Sequence, residues 1–216
     1  MKYAIMCGGE YADFKEPKQL LQIRGEALVD RTIRLLRENG VEDICITATD
    51  PRFEGHGVPV LKHENNFITD GDRALSGYWL DAFYPRFPDG TRVTFLFGDV
   101  YYSEAAMRKI VHADVKGNVL AGHPDAKNPE HHNIGEPFAY IVNDYRAFMD
   151  GVAEVKRMRD AGLLLREPIV WELYRYLNGF DVNVQWINDE TFIEIDDETI
   201  DADTPQKARE LIERLH

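Results

Sequence analysis

The sequence predicts an α/β fold with a mostly parallel central sheet and helices on both faces. Short apolar runs typical of buried strands alternate with segments in which apolar residues recur at helical spacing. Strands that alternate with helices form parallel sheets whose two faces are both covered. In such sheets ligands bind beyond the carboxyl ends of the strands, so the residues that follow each apolar run are the first candidates for a site.

The first half of the chain provides most of the predicted strands. Residues 27–40 are predicted to form a helix, because Val29, Ile33 and Leu36 make one apolar stripe and Gly40 is a stop signal. Residues 70–85 also have helical spacing. Buried strands are predicted for the segments KYAIMC (2–7), DICITAT (43–49), VPVLKH (58–63) and RVTFLFGDV (92–100).

The second half of the chain is less regular. Residues 121–137 are rich in Pro, Gly, His and Asn, which predicts a long loop over the ligand crevice. A final helix is predicted from Pro205, with Thr204 as its N-cap. The other predicted elements are a strand at 138–143, helices at 144–162 and 167–179, and paired strands at 181–187 and 191–196. No repeat or linker divides the chain, so a single domain over 1–216 is expected.

Composition restricts the classes of partner. The formal net charge of −13 argues against nucleic acid and anionic membranes, because polyanions are bound by surfaces rich in Lys and Arg. No apolar stretch approaches the roughly 20 residues that span a bilayer, and no secretory signal is recognisable. Cys7 and Cys45 lie in apolar runs, which predicts reduced core thiols rather than a disulfide. A cytoplasmic location is therefore expected.

Glycines and charged residues are concentrated where the first predicted strand ends. The stretch MCGGEYADFKEPKQ (6–19) contains a glycine pair and a Pro17-Lys18 step, and its acidic residues are Glu10, Asp13 and Glu16. The strand at 92–100 likewise ends at Gly98-Asp99. Because the carboxyl ends of parallel strands meet at one edge of the sheet, both turns are expected to open onto the same crevice.

The order of these motifs resembles the nucleotidyltransferases of the Rossmann-like GT-A (nucleotide-diphospho-sugar transferase) fold. The family includes sugar-1-phosphate nucleotidylyltransferases, the cytidylyltransferases for phosphocholine and methylerythritol phosphate, and the molybdenum-cofactor guanylyltransferase. The resemblance is dense over 1–50 and returns at 94–103, which includes FLFGDVYYS, and at 199–212, which includes DADTPQKAREL. It implies that a nucleoside triphosphate is joined to a phosphorylated small-molecule acceptor with release of pyrophosphate. It also divides the domain into a nucleotide-binding half (1–115), an acceptor-binding half (116–200) and a closing helix (201–216).

The resemblance assigns roles to particular residues. Lys18 matches the lysine that contacts the α-phosphate and is the predicted catalytic residue. Asp99 matches an Mg²⁺ ligand, and Asp203 or its neighbour Asp201 matches the second metal carboxylate. The full predicted nucleotide-binding set comprises Cys7, Gly8, Gly9, Lys15, Lys18, Asn66, Gly71, Ser76, Gly98 and Asp99. The predicted acceptor-binding residues are Glu136, Tyr140 and Trp171.

One feature departs from the family pattern. Members usually follow the glycines with Gly-x-Arg, whose arginine grips the β- and γ-phosphates, whereas Glu10 to Asp13 supply neither residue. Lys15 is the nearest cation that could replace the arginine, although a point charge grips phosphate less well than a bidentate fork. This departure keeps open a catalytically silent member that only binds a nucleotide or a partner.

Other interpretations also stay open at this stage. The DAD at 201–203 has the DxD form of glycosyltransferases that use nucleotide sugars, so sugar transfer is the alternative activity. His123, His131, His132 and Asp125 match no metal-site template, which favours a polar lid loop. The acceptor is expected to be a sugar phosphate. An amino-alcohol phosphate bound by aromatic faces and Glu136 is the alternative. A homodimer is possible but not derivable from the sequence.

Overall fold

The computed structural model describes residues 1–8, 14, 16–62, 79–83, 87–127, 135–202 and 204–215. Its strands are β1 (Lys2–Met6), β2 (Gln22–Ile23), β3 (Glu26–Ala27), β4 (Ile44–Thr47), β5 (Val60–Leu61), β6 (Val93–Phe97), β7 (Val100–Tyr101), β8 (Val119–Gly122), β9 (Pro137–Val142), β10 (Phe192–Glu194) and β11 (Ile200–Asp201). Its α-helices are α1 (Leu28–Glu38), α2 (Glu104–Val111), α3 (Tyr145–Asp160), α4 (Val170–Leu177) and α5 (Pro205–Leu215).

A seven-stranded sheet in the order β10-β8-β9-β6-β1-β4-β5 forms the centre of the fold. Its pairs are parallel except for those of β9, which runs antiparallel to both β6 and β8. Every residue of β4, β6 and β8 is buried. Since successive side chains of a strand point to opposite faces, both faces of the sheet are covered. The predicted α/β class with a mostly parallel sheet is confirmed.

The helices form where apolar residues recur on one face. In α1 the predicted stripe of Val29, Ile33 and Leu36 is buried. In α5 the hydroxyl of Thr204 accepts a hydrogen bond from the amide of Lys207 at 3.2 Å, so the predicted N-cap is confirmed. None of the helices in the described part of the chain is long and apolar enough to cross a membrane.

Several sequence-based assignments need correction. Residues 181–187, predicted as a strand, lie outside regular secondary structure, and β10 pairs instead with β8 in parallel. The predicted helix at 70–85 falls mostly outside the described residues, and its described part, residues 79–83, contains a 3₁₀ turn at Trp79–Ala82. The strand β8 begins before the predicted loop at 121–137 and takes its first residues. Cys7 and Cys45 are free and buried, as predicted.

Candidate active site

The ends of β1 and β6 lie side by side at one edge of the sheet. Met6 and Phe97 are register partners, and the amide of Gly98 donates to the carbonyl of Met6 at 3.0 Å. On the other side of β1, the amide of Cys7 donates to the carbonyl of Thr47 at 2.8 Å. The turn at Cys7-Gly8 and the turn at Gly98-Asp99 therefore open onto the same edge, as the sequence predicts.

Gly98 is required by the closeness of these segments. A Cβ atom at this position would lie 2.5 Å from the Met6 carbonyl oxygen, 2.7 Å from the Cys7 sulfur and 3.0 Å from Cγ of Gln19. Backbone cannot yield as a flexible side chain can, so any larger residue would separate β1 from β6. Absence of a side chain at Gly98 allows three parts of the chain to meet where the site is expected.

Lys18 and Asp99 form an ion pair at this edge. Lys18 begins a 3₁₀ turn (Lys18–Leu20) that follows Pro17, whose carbonyl accepts a hydrogen bond from the Leu20 amide at 2.9 Å. The ammonium nitrogen of Lys18 lies 2.5 Å from Oδ2 of Asp99. The side chain of Lys18 is 1% exposed and that of Asp99 22%. Lys18 is therefore a buried, paired cation and not a solvated side chain in a surface turn.

Two buried groups lie close enough to Asp99 for its negative charge to affect their pKa values. Burial raises the pKa of the Cys7 thiol well above its ordinary value, and the Asp99 carboxylate raises that pKa further. The pKa of the Tyr102 hydroxyl is raised for the same two reasons, in the same order. This hydroxyl donates to the carbonyl of Phe138 at 2.5 Å. Asp99 thus has the buried side chains of Cys7 and Tyr102 on one side, while 22% of its own side chain stays exposed.

The segment before the last helix pairs with the strand that follows Asp99. β7 and β11 form an antiparallel ribbon in which Asp201 is opposite Val100. The amide of Ala202 donates to the carbonyl of Asp99 at 2.9 Å. The structure therefore brings Asp99 together with the predicted C-terminal segment. Asp203 itself lies outside the described residues.

Asp201 takes part in a second charged cluster, which we call the Lys207 cluster and define as Lys207, Asp201 and Glu136. The Lys207 ammonium lies 2.5 Å from Oε1 of Glu136 and 2.8 Å from Oδ1 of Asp201. The Asp201 amide donates to Oε2 of Glu136 at 3.3 Å. Burial lowers the pKa of Lys207, but hydrogen bonds to the two carboxylates outweigh it, so this pKa lies above its ordinary value. The sequence reasoning missed Lys207, because a lysine on the first turn of a helix carries no signal of distant partners.

The predicted acceptor residues occupy different environments. Tyr140 is completely buried, and its ring contacts Phe83 and Phe148 with centroids 6.3 and 5.0 Å apart. Trp171 is 1% exposed and packs in the core against Tyr174. A ligand at the sheet edge cannot touch these side chains while the core is closed. Glu136 does reach the edge, but its two oxygens are already engaged in the Lys207 cluster.

The histidine-rich segment is described only in part. His123 follows β8, and Nδ1 of its ring lies 3.4 Å from Oδ2 of Asp125. Its Nε2 lies 4.0 Å from Oδ1 of Asp196, just after β10. Within the ranges that the structure describes, no three His, Cys, Asp or Glu side chains come close enough to hold a metal ion by themselves. The predicted site residues that fall outside those ranges are Gly9, Lys15, Asn66, Gly71, Ser76 and Asp203, and the same is true of His131 and His132.

The sequence profile described as "MobA-like NTP transferase domain" matches residues 3–159, well over half of the chain. This chain belongs to that family. The predicted nucleotidyltransferase class is thereby confirmed. Among curated protein sequences, none matches this MobA-like NTP transferase significantly.

Solved structures support the fold of this MobA-like NTP transferase. Rv0371c from Mycobacterium tuberculosis superposes with a TM-score of 0.59 at 19% identity, covering 98% of this chain and 97% of that one. A putative glucose-1-phosphate thymidylyltransferase from Bacillus anthracis, in complex with a sucrose, gives 0.59 at 16%, with coverage of 99% and 94%. The CTP:phosphocholine cytidylyltransferase from Streptococcus pneumoniae gives 0.54 at 17%, with coverage of 100% and 99%. At these identities the likeness establishes the fold alone.

The carboxylate of Asp99 fits a divalent metal ion. Mg²⁺ is held by one or two carboxylates and completes its shell with water and phosphate oxygens, so it needs no cage of protein ligands. Asp99 meets this requirement, since its carboxylate stands at a strand end and keeps 22% of its surface exposed. A structure of Rv0371c contains manganese, a related hard cation, at a TM-score of 0.52.

Proposed function

We propose that this protein is a Mg²⁺-dependent nucleotidyltransferase that joins a nucleoside triphosphate to a sugar 1-phosphate and releases pyrophosphate. The observation that carries the proposal is the ion pair of Lys18 and Asp99 at the shared edge of β1 and β6. A cation and a carboxylate stand there where the strand ends of β1 and β6 meet, beside the turn that contains Gly8.

The residues of this chain divide the work between binding and charge stabilisation. Attack of the acceptor phosphate on the α-phosphorus brings negative charges together, and pyrophosphate leaves with further charge. Lys18 stabilises the charge that develops at the α-phosphate, a role typically worth 10²- to 10³-fold in rate for a single positioned donor. The backbone amides near Gly8 and Gly9 bind the phosphates, and Lys15 takes the place of the missing arginine. Asp99 and Asp203 would hold the metal ion, which would neutralise charge on the phosphate oxygens.

The burial of Lys18 limits how its ammonium group can contact a phosphate. Only 1% of its side chain reaches the surface, and its ammonium group is engaged by Asp99. Lys18 can serve a phosphate only if Asp99 is given another positive partner, because an unpaired carboxylate beside Cys7 and Tyr102 is costly. Asp99 therefore holds Lys18 at the edge where the phosphates are proposed to bind, and a metal ion held by Asp99 would supply the compensating positive charge.

The Lys207 cluster favours a neutral sugar phosphate over a cationic acceptor. A site for a quaternary ammonium group needs an aromatic face and a free carboxylate nearby. Glu136, the carboxylate predicted for this role, is neutralised by Lys207, and the side chains of Tyr140 and Trp171 are buried. The exposed groups at this edge that could bind sugar hydroxyls include His123, Asp125 and Asp196.

The test is a matrix of the four nucleoside triphosphates against phosphorylated acceptors, with pyrophosphate release as the readout. The panel contains hexose 1-phosphates, phosphocholine and inositol phosphate, each assayed with Mg²⁺ and with a chelator. We expect one triphosphate with a sugar 1-phosphate to dominate and the chelator to abolish turnover. Nucleotide-sugar consumption without pyrophosphate release would support a glycosyltransferase instead. Dominance of phosphocholine would overturn the sugar assignment but not the nucleotidyltransferase.

A further inference from the structure

The Lys207 cluster joins three distant parts of the chain. Glu136 directly precedes β9, Asp201 ends β11, and Lys207 lies in the first turn of α5. The Lys207 ammonium binds one oxygen of each carboxylate, and the second oxygen of Glu136 accepts the Asp201 amide. The cluster therefore fixes the backbone of β11 as well as two side chains.

Charge makes Lys207 the member on which the other two depend. Without a cation between them, the carboxylates of Asp201 and Glu136 repel each other. Little water can screen the Asp201 carboxylate, because 10% of its side chain is exposed. Glu136 and Lys207 are more accessible, at 27% and 36%. Loss of Lys207 is thus expected to drive Asp201 away from Glu136 and to move β11.

β11 in turn supports Asp99. The amide of Ala202 donates to the Asp99 carbonyl, and β11 pairs with β7, the strand that Asp99 precedes. A shift of β11 would therefore reach the backbone from which the metal-binding carboxylate projects. Small displacements of such a group weaken a site, because coordination and charge stabilisation depend on position within about 0.5 Å.

We propose that Lys207 is a positioning residue, which holds β11 against Glu136 and thereby keeps Asp99 in place to bind the metal. This inference rests on the proposed function for the identity of Asp99 as a metal ligand. It assigns Lys207 no contact with substrate, and it removes Glu136 from the acceptor pocket and gives it a structural role.

The experiment measures binding of Mn²⁺ alone, detected as loss of the free-ion electron paramagnetic resonance signal, to the parent protein and its variants. Lys207→Met removes the charge, and Lys207→Arg keeps it. Lys2→Met is the matched control, since it removes a lysine and its ion pair with Asp43 at the opposite end of β1. We expect the Mn²⁺ dissociation constant to rise about tenfold in Lys207→Met, the equivalent of one charged hydrogen bond, to recover partly in Lys207→Arg and to stay unchanged in Lys2→Met.

Glu136→Gln breaks the same link from the other side and decides the matter if Lys207→Met does not fold. The double variant Lys207→Met/Glu136→Gln is expected to bind Mn²⁺ no more weakly than Lys207→Met, because both changes remove one connection. Parent-like Mn²⁺ affinity in the folded Lys207→Met and Glu136→Gln variants would overturn the proposal. Tighter Mn²⁺ binding in Lys207→Met would also overturn the proposal, because it would mean that Lys207 only neutralises two carboxylates. A parent protein that binds no Mn²⁺ would overturn it as well.

Failure of the proposed function is distinguishable from failure of this inference. A parent protein that binds Mn²⁺ but does not release pyrophosphate from any tested pair of nucleoside triphosphate and acceptor would contradict the proposed reaction. The ratio of Mn²⁺ affinities between the parent and Lys207→Met would still report whether Lys207 positions Asp99.

Discussion

The Lys18–Asp99 pair and the Lys207 cluster differ in how much water reaches them. Lys18 is 1% exposed and pairs with Asp99, whereas Lys207 is 36% exposed and is shared between Asp201 and Glu136. A buried pair has lost hydration that its attraction only partly restores, so it stays poised to exchange partners when another charge enters. Lys207 keeps more of its hydration and has two carboxylates around it, so its ion pairs carry less of this desolvation cost. This contrast agrees with the two roles proposed above, chemistry for the Lys18–Asp99 pair and support of the backbone for the Lys207 cluster.

Substituting the two lysines in parallel gives the largest expected contrast. We expect Lys18→Met to lower kcat by about 100-fold or more, because a positioned cation at the α-phosphate is lost. The same change also lowers the free energy of unfolding, by less than the roughly 3–5 kcal/mol found for a fully buried pair, since water can reach Asp99. Steady-state kinetics and urea unfolding provide the two measurements. Turnover within threefold of the parent in folded Lys18→Met would remove its catalytic role.

Substituting the carboxylates tests which of the two clusters holds metal. Asp99→Asn is expected to raise the metal concentration for half-maximal activity by tenfold or more, because Asn is nearly isosteric but lacks the charge that a hard cation needs. Asp201→Asn is expected to cause a smaller rise, since its carboxylate serves Lys207. Titration of activity with Mg²⁺ ranks the two variants. The reverse order would make Asp201 the direct ligand and undo the contrast between the clusters.

Thiol reactivity gives the smallest but most local signal. Burial and Asp99 raise the pKa of Cys7, and burial raises that of Cys45 to about 11, so at pH 8 both remain protonated and unreactive in the native protein. In Asp99→Asn the carboxylate that raises the Cys7 pKa is lost, so we expect iodoacetamide to label Cys7 faster while Cys45, further from the site, keeps the parent rate. Mass spectrometry of the labelled peptides measures both rates. Equal acceleration at both thiols would indicate general loosening rather than a local change at the nucleotide edge.

Much of the fold could be predicted from the sequence because its strands are short, apolar and buried on both faces. β1, β4 and β6 and the helix α1 lie inside their predicted segments, since local periodicity records burial. The strand predicted at 181–187 was wrong. Apolar residues such as Val182 and Trp186 alternate with polar ones in this segment, but Trp186 is 55% exposed. The alternation therefore does not mark the buried face of a sheet. The ribbon of β7 and β11 was missed because its partners are a hundred residues apart in sequence.

The site was predictable only where a motif fixes both residue type and position. Lys18, Gly98 and Asp99 follow from strand ends and resemblance, and the structure places them together. Their environment was not predictable. The burial of Lys18 does not follow from its local sequence, because the partner that neutralises it comes from a strand far along the chain. Tyr140 and Trp171 were assigned to the acceptor from residue type alone, which cannot distinguish an aromatic pocket wall from the core.

The reversed direction of β9 affects how this scaffold can diversify. Gly122 at the end of β8 is a register partner of Pro137 at the start of β9, so the chain leaves and rejoins the sheet at neighbouring points of the same edge. The connection between these points can lengthen or shorten without shifting any strand, and each doubling of a flexible loop costs only about 0.6 kcal/mol. An evolving lineage could therefore exchange residues 123–135, which leave out Glu136 and its link to Lys207, while β1, β6 and the Lys18–Asp99 pair stay unchanged.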